Sequence, residues 1–363
     1  MSNLFGRNFR IMTFGESHGP AMGVVVDGLP AGLKIPLKAV QRDLDRRRPG
    51  QSIFVSQRQE EDRAEIVSGL TREGRTNGAP LTIVIKNENA DGRAYEEIGN
   101  KFRPGHADWT YYRKYGLPPQ PGGGRSSGRE TVARVAAGAL ARLLLSPLGV
   151  SASAYTVAVG RVKAENIDPE FAERDPLRFA DRHLAAEAHQ AVEAAMSEGD
   201  SIGSVVEISL TGIPAGWGEP IFDKLTSRLG AAFLSIGAVR AVEFGDGIAM
   251  AAQRGSQAND PLGPDGPLSN RHGGIMGGIS TGLPIVCRLF IRPTPSIASE
   301  QRSITLGGHE TTISTTGRHD PCLAPRLAPV AEAMALICLA DFHLEPNRHY
   351  IAINQSVETG HLG

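Results

Sequence analysis

Three segments of the 363-residue chain set a histidine among groups able to bind or protonate an anion: Gly15-Glu16-Ser17-His18-Gly19, Arg103-Pro104-Gly105-His106-Ala107-Asp108 and Gly317-Arg318-His319-Asp320-Pro321-Cys322. Histidine titrates near neutral pH, arginine's planar fork suits phosphate or carboxylate, and glycine lets backbone approach a ligand. One such histidine alone would most simply be structural; recurrence of the pattern points to chemistry. A fourth segment, Gly122-Gly123-Gly124-Arg125-Ser126-Ser127-Gly128-Arg129-Glu130, feeds a glycine-rich turn into a helix N-terminus, whose free N–H groups and dipole favour an anion. A fifth, Asp45-Arg46-Arg47-Arg48, closes a helix, where cations complement the dipole and at least one arginine is simply solvated. Arg10, Arg58, Arg63 and Arg134 read as surface or packing charges. The shared content suits a small polyanion undergoing acid-base chemistry.

Several familiar chemistries do not fit. The first turn and its cousin Gly199-Asp200-Ser201-Ile202-Gly203 both match G-x-S-x-G, but a nucleophile elbow runs from strand into helix, and both turns here run into β-type sequence. The glycine-rich segment has Arg129-Glu130 where a P-loop needs lysine and a hydroxyl. No helical H-x-x-x-H or H-E-x-x-H spacing accompanies the histidines, so a metal site is not expected. No strand-bound G-x-G-x-x-G occurs, so a flavin would need a scaffold other than a Rossmann fold.

The elements that must position these groups are mixed α and β. Runs at 9–14, 23–27, 81–86, 205–210 and 285–291 read as strands, and 36–47, 127–145, 182–197, 220–235 and 328–340 as helices. Ser127 with Glu130 forms a capping-box pattern, and Val132, Val135, Ala136, Ala139, Leu140 and Leu143 recur at helical spacing. Residues 15–36 laid over 199–220 reveal a repeat: a Gly-acid-Ser-x-Gly turn, a strand, a G-x-P-A-G turn and a helix opened by proline. The residue that changes character is His18, replaced by Ile202, so the turn forms without histidine, which favours a chemical over a structural role for His18. The chain reads as a single domain, 1–363, of two related halves of about 1–197 and 198–345 packed about a pseudo-two-fold.

Composition bounds the rest. With 40% hydrophobic and 21% charged residues the chain can bury a large core, and a net charge of -1 lacks the footprint of a nucleic-acid binder. Three cysteines without a C-x-x-C pair, no apolar run near the N-terminus and no 18-residue apolar stretch predict a cytoplasmic protein with no membrane partner. The 43 glycines are concentrated in the motifs rather than spread through linkers.

Read in order, FGESHG, DLDRRRPG, FRPGHAD, GGGRSSGRET, GDSIG, GIPAG with GEP, SNRHGG with GGIS, and GRHDPC resemble the motif series of the chorismate synthase family from residue 14 to residue 322. The resemblance implies an α+β fold, a β-α-β sandwich of antiparallel sheets around a helical core with internal pseudo-symmetry, and a homotetramer. It implies a lyase of aromatic amino-acid biosynthesis that eliminates phosphate from 5-enolpyruvylshikimate 3-phosphate with reduced FMN, NADPH serving some members as reductant.

Carried onto this sequence, the resemblance assigns His18 to protonating the departing phosphate, Ser17 and Asp320 to a proton relay involving the flavin, and His106 to assisting the flavin. It assigns Arg47, Arg48, Arg103, Arg129 and Arg318 to substrate, the first and last three by bidentate pairing. Flavin contacts fall on Arg125, Ser126, Ser127, Gly237, Ala238, Gly278, Arg292, Pro293, Thr294, Pro295, Ser296 and Arg318. The chain departs from the pattern at Ile53, where a second phosphate-binding arginine is usual, at Gly237 in place of asparagine, and at Pro295 in the flavin block. Three competing readings are a degenerate paralogue, favoured by Ile53 but opposed by the catalytic quartet, a serine hydrolase using Ser17 or Ser201, and a non-catalytic phosphate-binding oligomer.

Overall fold

Leu81, Ile83 and Ile85 are buried while Thr82, Val84 and Lys86 between them are not, the period-two signature of a strand with one face on a core. This strand belongs to the first of two five-stranded sheets in this computed structural model, which describes residues 3–56, 60–87, 99–315 and 319–345. Strands β1 (Leu4–Phe5), β2 (Arg10–Gly15), β3 (Ala21–Asp27), β4 (Ala64–Ser68) and β5 (Leu81–Lys86) lie in the order β1-β2-β3-β5-β4, every pair antiparallel. The second sheet holds β6 (Ser151–Val159), β7 (Val162–Lys163), β8 (Ser204–Thr211), β9 (Val239–Phe244) and β10 (Ile285–Ile291) in the order β7-β6-β8-β10-β9, also antiparallel.

The two orders are alike except that the edge strand precedes its partner in the first sheet and follows it in the second. A short edge strand, its hairpin partner and a central strand are followed by two strands whose chain order is reversed in space. The central strands β3 and β8 are the ones the sequence repeat superposes.

Six helices are relevant to the site: α1 (Leu37–Arg47), α2 (Asp108–Tyr115), α3 (Thr131–Leu145), α4 (Ala185–Ser197), α5 (Leu225–Leu234) and α6 (Ala324–His343). Helix α3 packs on β2, β3 and β5, α6 packs on β6 and β8, and the two helices pack on each other, so sheets sandwich a helical layer. The expected fold class stands. At Gly138 the two helices approach closely: a Cβ there would stand 2.4 Å from the Ala333 Cβ. The buried Glu332 of α6 ties the layer together, accepting from Arg46 of α1 (2.6 and 2.9 Å), Arg142 of α3 (2.9 Å) and the Ala154 N–H of β6 (3.0 Å).

Details differ from the sequence reading for local reasons. The capping box does not close: the Ser127 hydroxyl accepts from the Arg129 N–H (3.3 Å), but Glu130 turns to Arg134 (2.9 Å), and a 3-10 turn over Gly128–Glu130 precedes the helix. Pro36 is the residue before α1, whereas Pro220 lies upstream of α5, which begins at Leu225. The turn at 199–203 follows helix α4 rather than a strand. The stretch Gly128–Leu148, contrary to the expectation of no such span, is long and apolar enough to cross a membrane, but 67% of that window is buried within the fold as its core helix.

The contact at Gly138 yields a prediction. Alanine has a helix propensity roughly 1 kcal/mol better than glycine, yet Gly138→Ala is expected to destabilise the fold by about 1–3 kcal/mol through overpacking, read as a lower midpoint of urea unfolding. A higher midpoint would contradict the close α3–α6 packing.

Candidate active site

The β2–β3 hairpin closes in register at Gly15 and Met22, and Glu16–Pro20 between the strands form the loop that presents Ser17 and His18. The glycine-rich segment lies against it. Gly122, Gly123 and Gly124 all take positive φ (61°, 86° and 52°), a path that L side chains resist. The Ser17 N–H donates to the Gly124 carbonyl (3.2 Å), and a Cβ on Gly122 would stand 2.2 Å from His18 Cε1 and 3.1 Å from Ser17 Oγ. Arg125 braces this arrangement: its guanidinium donates to the carbonyls of Thr13 (3.0 Å) and Gly15 (3.2 Å) and to Asn3 Oδ1 (3.2 Å). Ser126 Oγ donates to the Gly123 carbonyl (2.7 Å).

Beneath the turn lies a buried cluster of charge. Arg47, 1% exposed, bonds through all three nitrogens: Nη1 to Asp62 (3.0 Å), Nη2 to the Gly128 carbonyl (3.0 Å) and Nε to Thr131 Oγ1 (3.2 Å). Arg129 pairs with the other oxygen of Asp62, with Glu60 (3.2 Å) and, through Nε, with Asn87 Oδ1 (3.1 Å). Burial, then repulsion from Arg326 and Arg129, pushes Arg47 down to about 10, so it stays charged at neutral pH. Burial would raise the Asp62 carboxyl, but the charges of Arg47 and Arg129 prevail and hold it below its usual range. Arg103 forms a bidentate pair with Asp108 at the start of α2 (2.7 and 2.8 Å). The two-pronged grip expected on a substrate is, for Arg103, made on a carboxylate of the protein itself, and Arg47 is enclosed.

The second half contributes the facing wall. His106 Nε2 lies 2.8 Å from Ser296 Oγ, and its Nδ1 lies 3.0 Å from the Pro104 carbonyl. A carbonyl only accepts, so Nδ1 carries the proton and Nε2 accepts from the Ser296 hydroxyl. Burial, then the charge of Arg103, lowers the imidazole to about 4, which keeps it neutral. Arg292 donates to the Gly105 carbonyl (2.6 Å), Pro295 packs where a Gly105 Cβ would fall, and the Thr294 hydroxyl donates to the Asp320 carbonyl (2.7 Å). The Asp320 carboxylate accepts from the Ser56 N–H (2.8 Å) and from Arg326 (2.7 Å), so its bonds run to these groups rather than to Ser17. Arg326 also reaches the Arg47 carbonyl (3.4 Å).

The expected residues thus divide. Ser17, His18, Arg103, Arg125, Ser126, Ser127 and Arg129 surround the glycine-rich turn, and His106 with Arg292, Pro293, Thr294, Pro295 and Ser296 joins them through Gly105. The Ala238 carbonyl accepts from the Arg292 N–H (3.0 Å), which places Gly237 and Ala238 at the rim. Arg48 is exposed. Gly278 packs on the turn before α5, where a Cβ would meet the Glu219 carbonyl at 2.5 Å, so its glycine serves turn packing. Arg318 and Arg58 lie outside the described residues. Ile53 is 61% exposed on a loop whose Phe54 and Val55 are buried.

Sequence reasoning missed Asp62, Glu60, Asn87 and Arg326. An acidic run reads as solvated, and a lone asparagine at a strand end carries no signal; only the positive φ of Asp62 (48°), visible in the fold, marks its special place. Among the described residues no cluster of metal-ligating side chains occurs.

The chorismate synthase family model matches residues 9–344. The chain is 52% identical over 348 residues to a chorismate synthase of Methanocella arvoryzae, covering 93% of both chains. It is 50% identical over 342 residues to one of Syntrophobacter fumaroxidans, covering 94% of this chain and 97% of that one. A crystal structure of chorismate synthase matches with a TM-score of 0.76 at 29% identity, over 94% of this chain and 93% of that one.

The depressed His106 has a consequence for stability. Between about pH 6.5 and pH 4 the unfolded chain binds a proton at this residue and the folded chain does not, so the stabilisation is complete above pH 6.5 and is lost as pH falls toward about 4. His106→Gln is expected to remove about 1–3 kcal/mol of that pH dependence, measured by urea titrations across the window; an unchanged slope would contradict a neutral, buried His106.

Proposed function

The chain belongs to the chorismate synthase family, and we propose that its groups perform the 1,4-anti elimination of phosphate from 5-enolpyruvylshikimate 3-phosphate to chorismate as follows. The observation that carries the assignment of roles is the convergence of the His18 turn, the glycine-rich turn and Arg103 and Arg129 on one place. The substrate bears a phosphate and two carboxylates. The C–O bond to phosphate breaks with its electron pair leaving on phosphate, and a C–H bond across the ring supplies the electrons of the new double bond while its proton passes to the relay given to Ser17 and Asp320. His18 donates a proton to the departing phosphate. Arg129 and Arg103, already set by Asp62, Glu60 and Asp108, supply the positive potential that favours the anion, and Arg47 supports them from the interior.

Reduced FMN is the cofactor of this reading, and the chain's own groups suit it. A Cβ on Gly123 would stand 3.5 Å from Arg103 Nη2, 3.6 Å from Ser126 Oγ and 3.9 Å from Ser127 Cβ, so the backbone here is flanked by a guanidinium and two serines. Arg125 bonds to carbonyl, hydroxyl and amide oxygens, all of them neutral, so among the described residues these partners do not offset its charge. When bound, the reduced flavin supplies electron density that eases departure of the allylic phosphate. His106, neutral with its proton on Nδ1 and oriented by Ser296 and Pro104, would offer Nε2 as a proton acceptor.

The homotetramer and a cytoplasmic location belong to the same reading. Phe222 (91% exposed), Ile248 and Leu268 offer apolar surface for subunit contact, and three unpaired buried thiols, Cys287, Cys322 and Cys338, suit a reducing compartment.

The test is anaerobic turnover with photoreduced FMN, which does not depend on NADPH as reductant. Stoichiometric chorismate and phosphate are expected, with turnover reduced roughly a hundredfold or more in His18→Ala. Flavin binding without product would contradict the reading and direct attention to Ile53.

A further inference from the structure

Asn87 follows the last residue of β5 and touches both parts of the site. Its backbone N–H donates to the Pro20 carbonyl (3.1 Å). Its side-chain Nδ2 donates to the carbonyls of Glu16 (3.1 Å) and Gly19 (2.7 Å), on either side of Ser17 and His18. Its Oδ1 accepts from Arg129 Nε (3.1 Å). Chemistry fixes the amide's orientation, because carbonyls only accept and a guanidinium only donates.

One neutral side chain therefore joins the turn that carries His18 to the arginine that faces the glycine-rich segment. Asp62 and Glu60 hold Arg129 by its terminal nitrogens, and Asn87 takes its Nε. Asparagine meets the demand with two donated bonds and one accepted bond. Aspartate of the same size would lose both donors and set a carboxylate against two carbonyls, and leucine would lose all three bonds.

We propose that Asn87 is a positioning residue that fixes the separation of Arg129 and His18, so that a phosphate seated at Arg129 presents its oxygen to the His18 imidazole. The proposal rests on the role given to His18 above, but its primary test does not require turnover. Inorganic phosphate is titrated to saturation at constant pH into the full chain, and the His18 ring resonance is followed by NMR, assigned by its loss in His18→Gln. Phosphate is expected to displace that resonance in the parent, and the displacement is expected to fall on the order of threefold or more in Asn87→Leu. Asn87→Asp keeps the size and a hold on Arg129, and gives the same readout should the leucine variant not fold.

In turnover assays kcat is expected to fall roughly ten- to a hundredfold while KM moves much less, the signature of misalignment rather than lost binding. An equal displacement in parent and variants, or none in the parent, would overturn the proposal. Failure of the parent to form chorismate would instead count against the reaction and leave the resonance test intact.

Discussion

The carboxylate of Asp62 sits between two buried arginines, and the site is arranged around that contact. Its side chain has no exposed surface and divides its oxygens between Arg47 and Arg129. Leaving one partner of a buried pair uncompensated typically costs about 3–5 kcal/mol. Asp62 thus makes it possible to hold cations under the glycine-rich turn with little water to solvate them. The left-handed backbone at this residue is the local cost of aiming the carboxylate inward. Burial, and after it repulsion from Arg326 and Arg129, lowers the affinity of Arg47 for its proton, and a bound anion would offset that repulsion.

Both halves of the chain are needed to close the site. The first supplies the His18 turn, the glycine-rich turn and the buried arginines. The second supplies the wall around Ser296 and Arg292, together with Asp320, whose partner Arg326 belongs to the first turn of α6. Their relative placement depends on the same helical layer that forms the core, through the Gly138–Ala333 contact and the Glu332 carboxylate. Ile202 at the position equivalent to His18 shows that this kind of turn forms without a histidine.

Much of this was legible in the residues. The strands and helices follow from strong period-two and helical patterns, and His18, His106 and the glycine-rich turn stood out because their types and spacing are unusual outside a ligand site. What was not legible depends on partners far away in sequence. Arg47 and Arg103 read as hands for a substrate, but in the fold they grip Asp62 and Asp108. Asp62 itself was hidden in an acidic run, and Asn87 in a strand end. The capping box at Ser127 and Glu130 was a correct pattern with the wrong outcome, because Arg134 one turn on offered Glu130 a charged partner. Gly278 matched a flavin motif, yet close packing against Glu219 and Lys224 is sufficient reason for a glycine there.

The central claim is that Asp62 and an incoming anion perform the same electrostatic task. The direct measurement is thermal unfolding of the parent and Asp62→Asn over a series of inorganic phosphate concentrations. Without phosphate the variant should melt several degrees lower, as expected for a buried cation pair stripped of its carboxylate. The gap should narrow as phosphate rises and takes over neutralisation of the arginines. A gap that stays constant across the series would contradict the account.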